Sequence, residues 1–247
     1  MTENTSTNNS INSSQVAEFY DEYAKNQVRT GLNLRHYLLF DHIKKSGLKR
    51  DHEILEIGCG IGTFTKLLLG YVKRNGSVLG VDISPTNVAI AKKELGSDRT
   101  SFLVSDMTDF SIDKKFDFIV MLDVLEHIPI AQHPALFKIF RKHLQDNGSI
   151  FLNIPHHDYL DYVRTHEPQK LQIIDQSLST DLIINSIYKN DLQIVSLNSH
   201  SIFNQETDYQ WILIQPRKTL SKVSPISQKD IILRKLGLRI KAFLGNL

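Results

Sequence analysis

Residues Ile54-Leu55-Glu56-Ile57-Gly58-Cys59-Gly60-Ile61-Gly62-Thr63-Phe64 constrain this chain more than any other stretch. An apolar run ends in an acid, three glycines alternate with other residues, and an amphipathic run follows. That order predicts a strand, a tight glycine turn and a helix. Glycine lets backbone approach a ligand closely because no Cβ intervenes, so a nucleotide-like ligand is expected at the turn. The spacing decides its kind. A pyrophosphate-binding turn has the form G-x-G-x-x-G/A. Here the glycines fall at 58, 60 and 62, and Thr63 takes the third small position. Glu56 would repel a pyrophosphate and suits a ligand carrying positive charge.

Acid-x-G-x-G-x-G is the first motif of the class I S-adenosylmethionine-dependent methyltransferases, which the chain resembles from about Leu34 to Gln215. The sulfonium and amino group of S-adenosylmethionine supply the positive charge that Glu56 invites. The resemblance implies that Glu56, Gly58, Cys59 and Gly60 hold the amino-acid part of this cofactor. Asp82 ends the second predicted strand. An acid there can bind both ribose hydroxyls, or simply cap the turn, and Ile83 would face the adenine. Ser105-Asp106-Met107 follows the third strand. In the family such an acid accepts from the adenine amino group and the next residue packs on the ring; the plainer alternative is a loop acid capping Thr108–Phe110.

The second strong signal is Phe116 to Ile128, a buried strand emerging as Leu122-Asp123-Val124-Leu125-Glu126-His127. Ligands of open α/β sheets bind at the carboxyl ends of the strands, so Leu122 joins the expected cofactor wall. Asp-Val-Leu-Glu-His-Ile resembles the small-molecule branch of the family, with its quinone, sugar and natural-product O-methyltransferases. The Asn-Pro-Pro-Tyr and Asp-Pro-Pro-Tyr tetrapeptides of amino-methylating relatives do not occur in the sequence. His127 is either a general base, since imidazole titrates near neutrality, or a helix-start histidine bonded to backbone. His156 ranks next, with His157 and His166 behind it. Asp123, Glu126 and His127 are crowded into one strand-to-helix turn, so no metal is expected there. Arg35, on a predicted N-terminal helix with Tyr20 and Tyr23 on the one before it, either forks onto the cofactor carboxylate or lies on a solvated face.

Strands are predicted at His52–Ile57, Ser77–Val81, Ser101–Val104, Phe116–Leu122, Ser149–Ile154, Leu192–Asn198 and Tyr209–Gln215, with helices between the early ones. That alternation predicts an α/β fold with a doubly wound sheet and helices on both faces. The family version is a mostly parallel, seven-stranded Rossmann-like sheet with an antiparallel edge hairpin. Residues 15–215 are expected to form the methyltransferase domain, with cap elements at 15–46 and 156–189. The stretch 156–179 shows no clear period. Residues 1–14 read as a disordered leader.

The 247 residues carry a formal charge of +2, unevenly placed. From Pro216 onward there are eight bases and one acid, which leaves residues 1–215 net acidic and argues against a nucleic-acid surface on the domain. Gln228–Leu244 mixes large apolar residues with Lys and Arg. It is expected to dock on its own domain or form a homodimer contact; a basic amphipathic helix on a membrane surface is the alternative. The single cysteine, Cys59, excludes an intrachain disulfide and a cysteine-based zinc site, and a cytoplasmic setting is expected. The expected activity is methyl transfer to a small-molecule hydroxyl. The stretch from His156 to Gln215 resembles, more weakly, methyltransferases of sugar and surface-polysaccharide pathways. A sugar hydroxyl is therefore the first acceptor expected, a membrane quinone or phenol the second, and a catalytically silent partner subunit the alternative of another class.

Overall fold

The computed structural model describes residues 30–244 apart from 74, 109, 173, 220 and 222. The expected leader at 1–14 and the helix at 15–29 lie outside the described residues. The chain divides into two compact units after Arg217.

The first unit contains a seven-stranded sheet. Its strands are β1 (Glu53–Ile57), β2 (Ser77–Asp82), β3 (Thr100–Val104), β4 (Phe116–Leu122), β5 (Leu144–Pro155), β6 (Leu192–His200) and β7 (Tyr209–Pro216). They lie side by side in the order β3-β2-β1-β4-β5-β7-β6. β1 to β5 pair in parallel, whereas β7 runs antiparallel to both β5 and β6. The edge hairpin expected from the sequence is present. The order reverses between β1 and β4, and a crevice opens at the carboxyl ends of strands flanking such a switch.

Among the described residues of this unit the α-helices are α1 (Leu34–Lys45), α2 (Thr63–Tyr71), α3 (Pro85–Leu95), α4 (His133–His143), α5 (His157–His166) and α6 (Thr180–Tyr188). Successive strand side chains point to opposite faces, which builds two cores. Ile54, Phe118, Val120 and Phe151 pack with Leu39 and Ile43 of α1 and Phe64 and Leu68 of α2. Leu55, Ile119, Ile150 and Leu152 pack with Phe137 and Phe140 of α4 and Ile183 and Ile187 of α6. Burying four such apolar side chains removes roughly 6–12 kcal/mol of exposed-surface penalty per face.

Helix starts follow local chemistry. Ser84 accepts from the Asn87 amide at 3.0 Å, with Pro85 in the first turn of α3. At α1, Asn33 Oδ1 accepts from the His36 amide at 3.4 Å while His36 Nδ1 accepts from the Asn33 amide at 3.1 Å. This is a reciprocal capping box with histidine in place of Glu or Gln.

Two expectations change. Residues 156–179 are not uniformly irregular, because His157–His166 is helical. Leu160 and Val163, three apart, bury one stripe of that helix, but no side chain caps its start, so the usual signal is missing. β5 also begins at Leu144, five residues ahead of the strand expected at Ser149–Ile154. Phe116 stands opposite Leu144 and Phe118 opposite Ser149, so the intervening residues loop out as a bulge.

Candidate active site

A cleft of about 540 Å³ lies at the carboxyl ends of β1, β2 and β4, within the size range of small-molecule sites. Gly58, at its mouth, has φ of +71°, and a Cβ there would stand 2.2 Å from Val124 Cγ2. Only glycine fits both the backbone and the space. The Gly58 and Cys59 amides donate to the Val81 carbonyl at 2.8 and 3.0 Å, which pins the turn to β2.

One acid holds this turn and a second ties its strand to the following helix. Asp82 Oδ2 accepts from the Gly60 amide at 2.8 Å, and Oδ1 accepts from the Ser84 amide at 3.0 Å and from Asn87 Nδ2 at 3.2 Å. Glu56 is buried and its Oε2 accepts from Thr65 Oγ1 at 2.6 Å. Burial pushes the Glu56 carboxyl up to about 8; the Thr65 hydrogen bond opposes this and the Asp82 charge adds to it. A buried acid on a cleft wall that gains its charge only at a cost is a ready partner for a cation. Cys59, Gly60, Ile83, Met107 and Leu122 line the same cleft.

Asp106 also lines the cleft, but its Oδ1 accepts from the Thr108 amide at 3.0 Å and from Thr108 Oγ1 at 2.7 Å. The loop-capping geometry weighed from the sequence is thus present at a lining residue. Arg35 reaches the cleft from α1 and is ion-paired with Asp123. Asp123 has φ of +55° and is further held by Asn153 Nδ2 at 2.8 Å.

The histidines differ most from expectation. His127 lines the cleft with Nδ1 3.1 Å from Asp175 Oδ1 and 2.5 Å from the Ile174 carbonyl. Burial alone would lower its pKa, but the Asp175 hydrogen bond, the Glu126 carboxylate and the Ile174 carbonyl together raise it to about 9. That places His127 on the side of a cation at neutral pH, and its contact with the Ile174 carbonyl is a backbone bond of the kind weighed against the general-base reading. Burial raises the adjacent Glu126, against the pull of His127. His156 is not among the residues lining the cleft. It stands just before α5, stacked on His157 with ring centroids 4.8 Å apart, and its Nδ1 lies 3.7 Å from Asp158.

Several lining residues escaped the sequence reading. Gln172 and Asp175 come from the segment after α5, where the Gln172 amide donates to Asp175 Oδ2 at 2.6 Å. The Gln176 side chain then donates to the Ile128 carbonyl at 2.6 Å and the Glu126 carbonyl at 3.2 Å, tying this cap to the turn after β4. Tyr209 lines the cleft because antiparallel β7 starts opposite Pro155, the last residue of β5. That placement follows from the hairpin and was the one available signal. Burial pushes the Tyr209 phenol up to about 12.

Residues 54–148 match the family model described as a methyltransferase domain. Among curated proteins, malonyl-[acyl-carrier protein] O-methyltransferase 1 of Ilyobacter polytropus is 38% identical over 111 residues, covering 44% of this chain and 38% of that one. The malonyl-[acyl-carrier protein] O-methyltransferase of Priestia megaterium is 28% identical over 137 residues, covering 56% and 47%. The chain thus spans less than half the length of these relatives. Magnesium protoporphyrin IX methyltransferase of Synechocystis, solved with bound S-adenosylhomocysteine, superposes with a TM-score of 0.66 at 15% identity, over 84% of this chain and all of that one. At that identity the likeness concerns the fold. The segment that matches a methyltransferase domain carries the acid-guarded glycine turn, and the strand order gives it the fold of such solved methyltransferases.

Proposed function

We propose that this protein transfers a methyl group from S-adenosylmethionine to an oxygen of a small-molecule acceptor, and that this oxygen is already ionised when it binds, as a carboxylate is. The observation that carries methyl transfer is Glu56, a buried carboxyl on the wall of a glycine-lined cleft. Glu56 with Gly58 and Gly60 would hold the amino-acid part of the cofactor, Asp82 the ribose, and Ile83, Asp106 and Met107 the adenine. Leu122 would complete the wall, and Arg35 would be shared between Asp123 and the cofactor carboxylate. When bound, the cofactor supplies an activated methyl group, whose bond to sulfur breaks as the new carbon–oxygen bond forms. The protein then needs chiefly to align donor and acceptor.

The acceptor reading rests on which groups can take a proton. His127 is cationic at neutral pH, Tyr209 titrates at about 12, and burial with the Arg35 charge lowers His36 to about 4. Asp123 and Asp175 are each engaged with a cation. A sugar hydroxyl, with its high pKa, needs a base, and in this cleft that role would fall to Glu126, whose buried carboxyl is raised by desolvation. A carboxylate needs none. The names of the two curated relatives point the same way, because the acidic oxygen of a malonyl thioester is its carboxylate.

The test uses methyl-labelled S-adenosylmethionine with three acceptor sets: malonyl thioesters, nucleotide sugars and phenols. The expected product is a methyl ester, whose label mild alkali releases. An alkali-stable methyl ether would overturn the carboxylate reading. Cofactor binding without transfer to any acceptor would favour a silent partner subunit.

A further inference from the structure

The second compact unit contains one helix, α7 (Gln228–Phe243). Its start is well made, since Ser227 Oγ accepts from the Asp230 amide at 3.1 Å and donates to Asp230 Oδ2 at 2.7 Å. None of its residues is buried. At helical spacing, Ile232, Leu233, Leu236, Ile240, Phe243 and the following Leu244 fall within an arc of about 120°. All six are exposed, Phe243 at 92% and Ile232 at 63%. Arg239 borders the arc on one side; Arg234 and Lys241 stand beyond it on the other. Lys229 enters the arc only in the first turn, and Ile231 and Leu238 stand outside it. Asp230 is the one acid of the helix.

We infer that α7 lies in the interface of an anionic lipid surface, with this arc among the acyl chains and the Arg and Lys heads at the phosphates. The charge pattern selects that occupant. Long basic side chains beside an apolar face can lay their stems along lipid and keep their charges in the headgroup layer. A second copy on the same face would bring like charges together, whereas paired helices ordinarily place opposite charges beside their seam. Among the described residues no helix is long and apolar enough to cross a membrane, so the association would be peripheral. It is independent of the acceptor, and a lipid-linked acceptor would gain from it.

The test is co-sedimentation of the full chain with phosphatidylcholine vesicles, with or without about 30 mol % phosphatidylglycerol. Binding should be at least about tenfold tighter to the anionic vesicles and should weaken as salt rises. The double substitution Ile232→Asp, Leu236→Asp should lower it at least about tenfold while leaving S-adenosylmethionine affinity unchanged. Equal binding by that variant, or no preference for anionic vesicles, would overturn the inference. A dimer in light scattering that the variant splits would assign the face to a second copy and overturn it too.

Discussion

The two walls of the cleft are built differently. The wall at β1 and β2 is made by near neighbours in sequence: Glu56, Gly58 and Gly60 on one turn, with Asp82 at the end of the next strand. Asp82 accepts from the Gly60 and Ser84 amides and the Asn87 side chain, and Glu56 from the Thr65 hydroxyl. The wall at β4 and the cap is made by distant residues, Arg35 with Asp123 and His127 with Asp175, each an acid matched to a base. One wall keeps a buried carboxyl that a bound cation would ionise. The other arrives already neutralised and holds loops in place. That contrast is why the first reads as a cofactor site and the second as an acceptor site.

The largest effect should come from Gly58→Ala. A Cβ 2.2 Å from Val124 Cγ2, on a backbone with φ of +71°, forces the turn to shift. Strain and overpacking should cost about 2–4 kcal/mol in stability, and S-adenosylmethionine affinity should fall at least about a hundredfold, as read by calorimetry and a melting curve. Adding Val124→Ala should restore part of the affinity. If Gly58→Ala binds normally, the turn does not approach the ligand.

On the other wall, His127→Gln sharpens the contrast. Removal of a true general base costs roughly 10²–10⁴-fold in rate; here kcat should fall less than about tenfold, without loss of a basic limb near neutrality. Stability should respond instead. A histidine whose folded pKa is raised contributes fully below its unfolded value near 6.5, and the contribution disappears as pH rises through about 9. Denaturation of the variant and the parent should therefore differ by about 1–2 kcal/mol at pH 6 and converge by pH 10. A hundredfold loss of kcat with unchanged stability would make His127 the base after all.

Legibility followed the same division. The glycine turn, the position of Asp82 at a strand end and the mostly parallel sheet with its edge hairpin were readable because each is written in local spacing and in the alternation of strands with helices. The pairing of His127 with Asp175 was not, since nothing in either segment announces the other and the protonation state of the histidine depends on that meeting. Arg35 could be placed near the cofactor but not on Asp123 for the same reason. Helix α5 was missed because it begins among histidines without a capping side chain. His156 was misplaced with it, since one residue at a strand-to-helix junction decides which side chain enters the cleft; Tyr159 does so and His156 does not.

The central claim is that Glu56 is an uncharged buried acid waiting for a cation. Calorimetric titration of S-adenosylmethionine into the parent and into Glu56→Gln, from pH 6 to 9 in buffers of different ionisation enthalpy, tests it most directly. With Glu56 titrating at about 8 in the free protein, a bound cation should lower that value. Binding should then release close to one proton near pH 7 and tighten roughly tenfold per pH unit until about pH 8. The Gln variant should bind more weakly, with no proton release and a flat profile. Equal affinity and equal proton release in the two proteins would contradict the account.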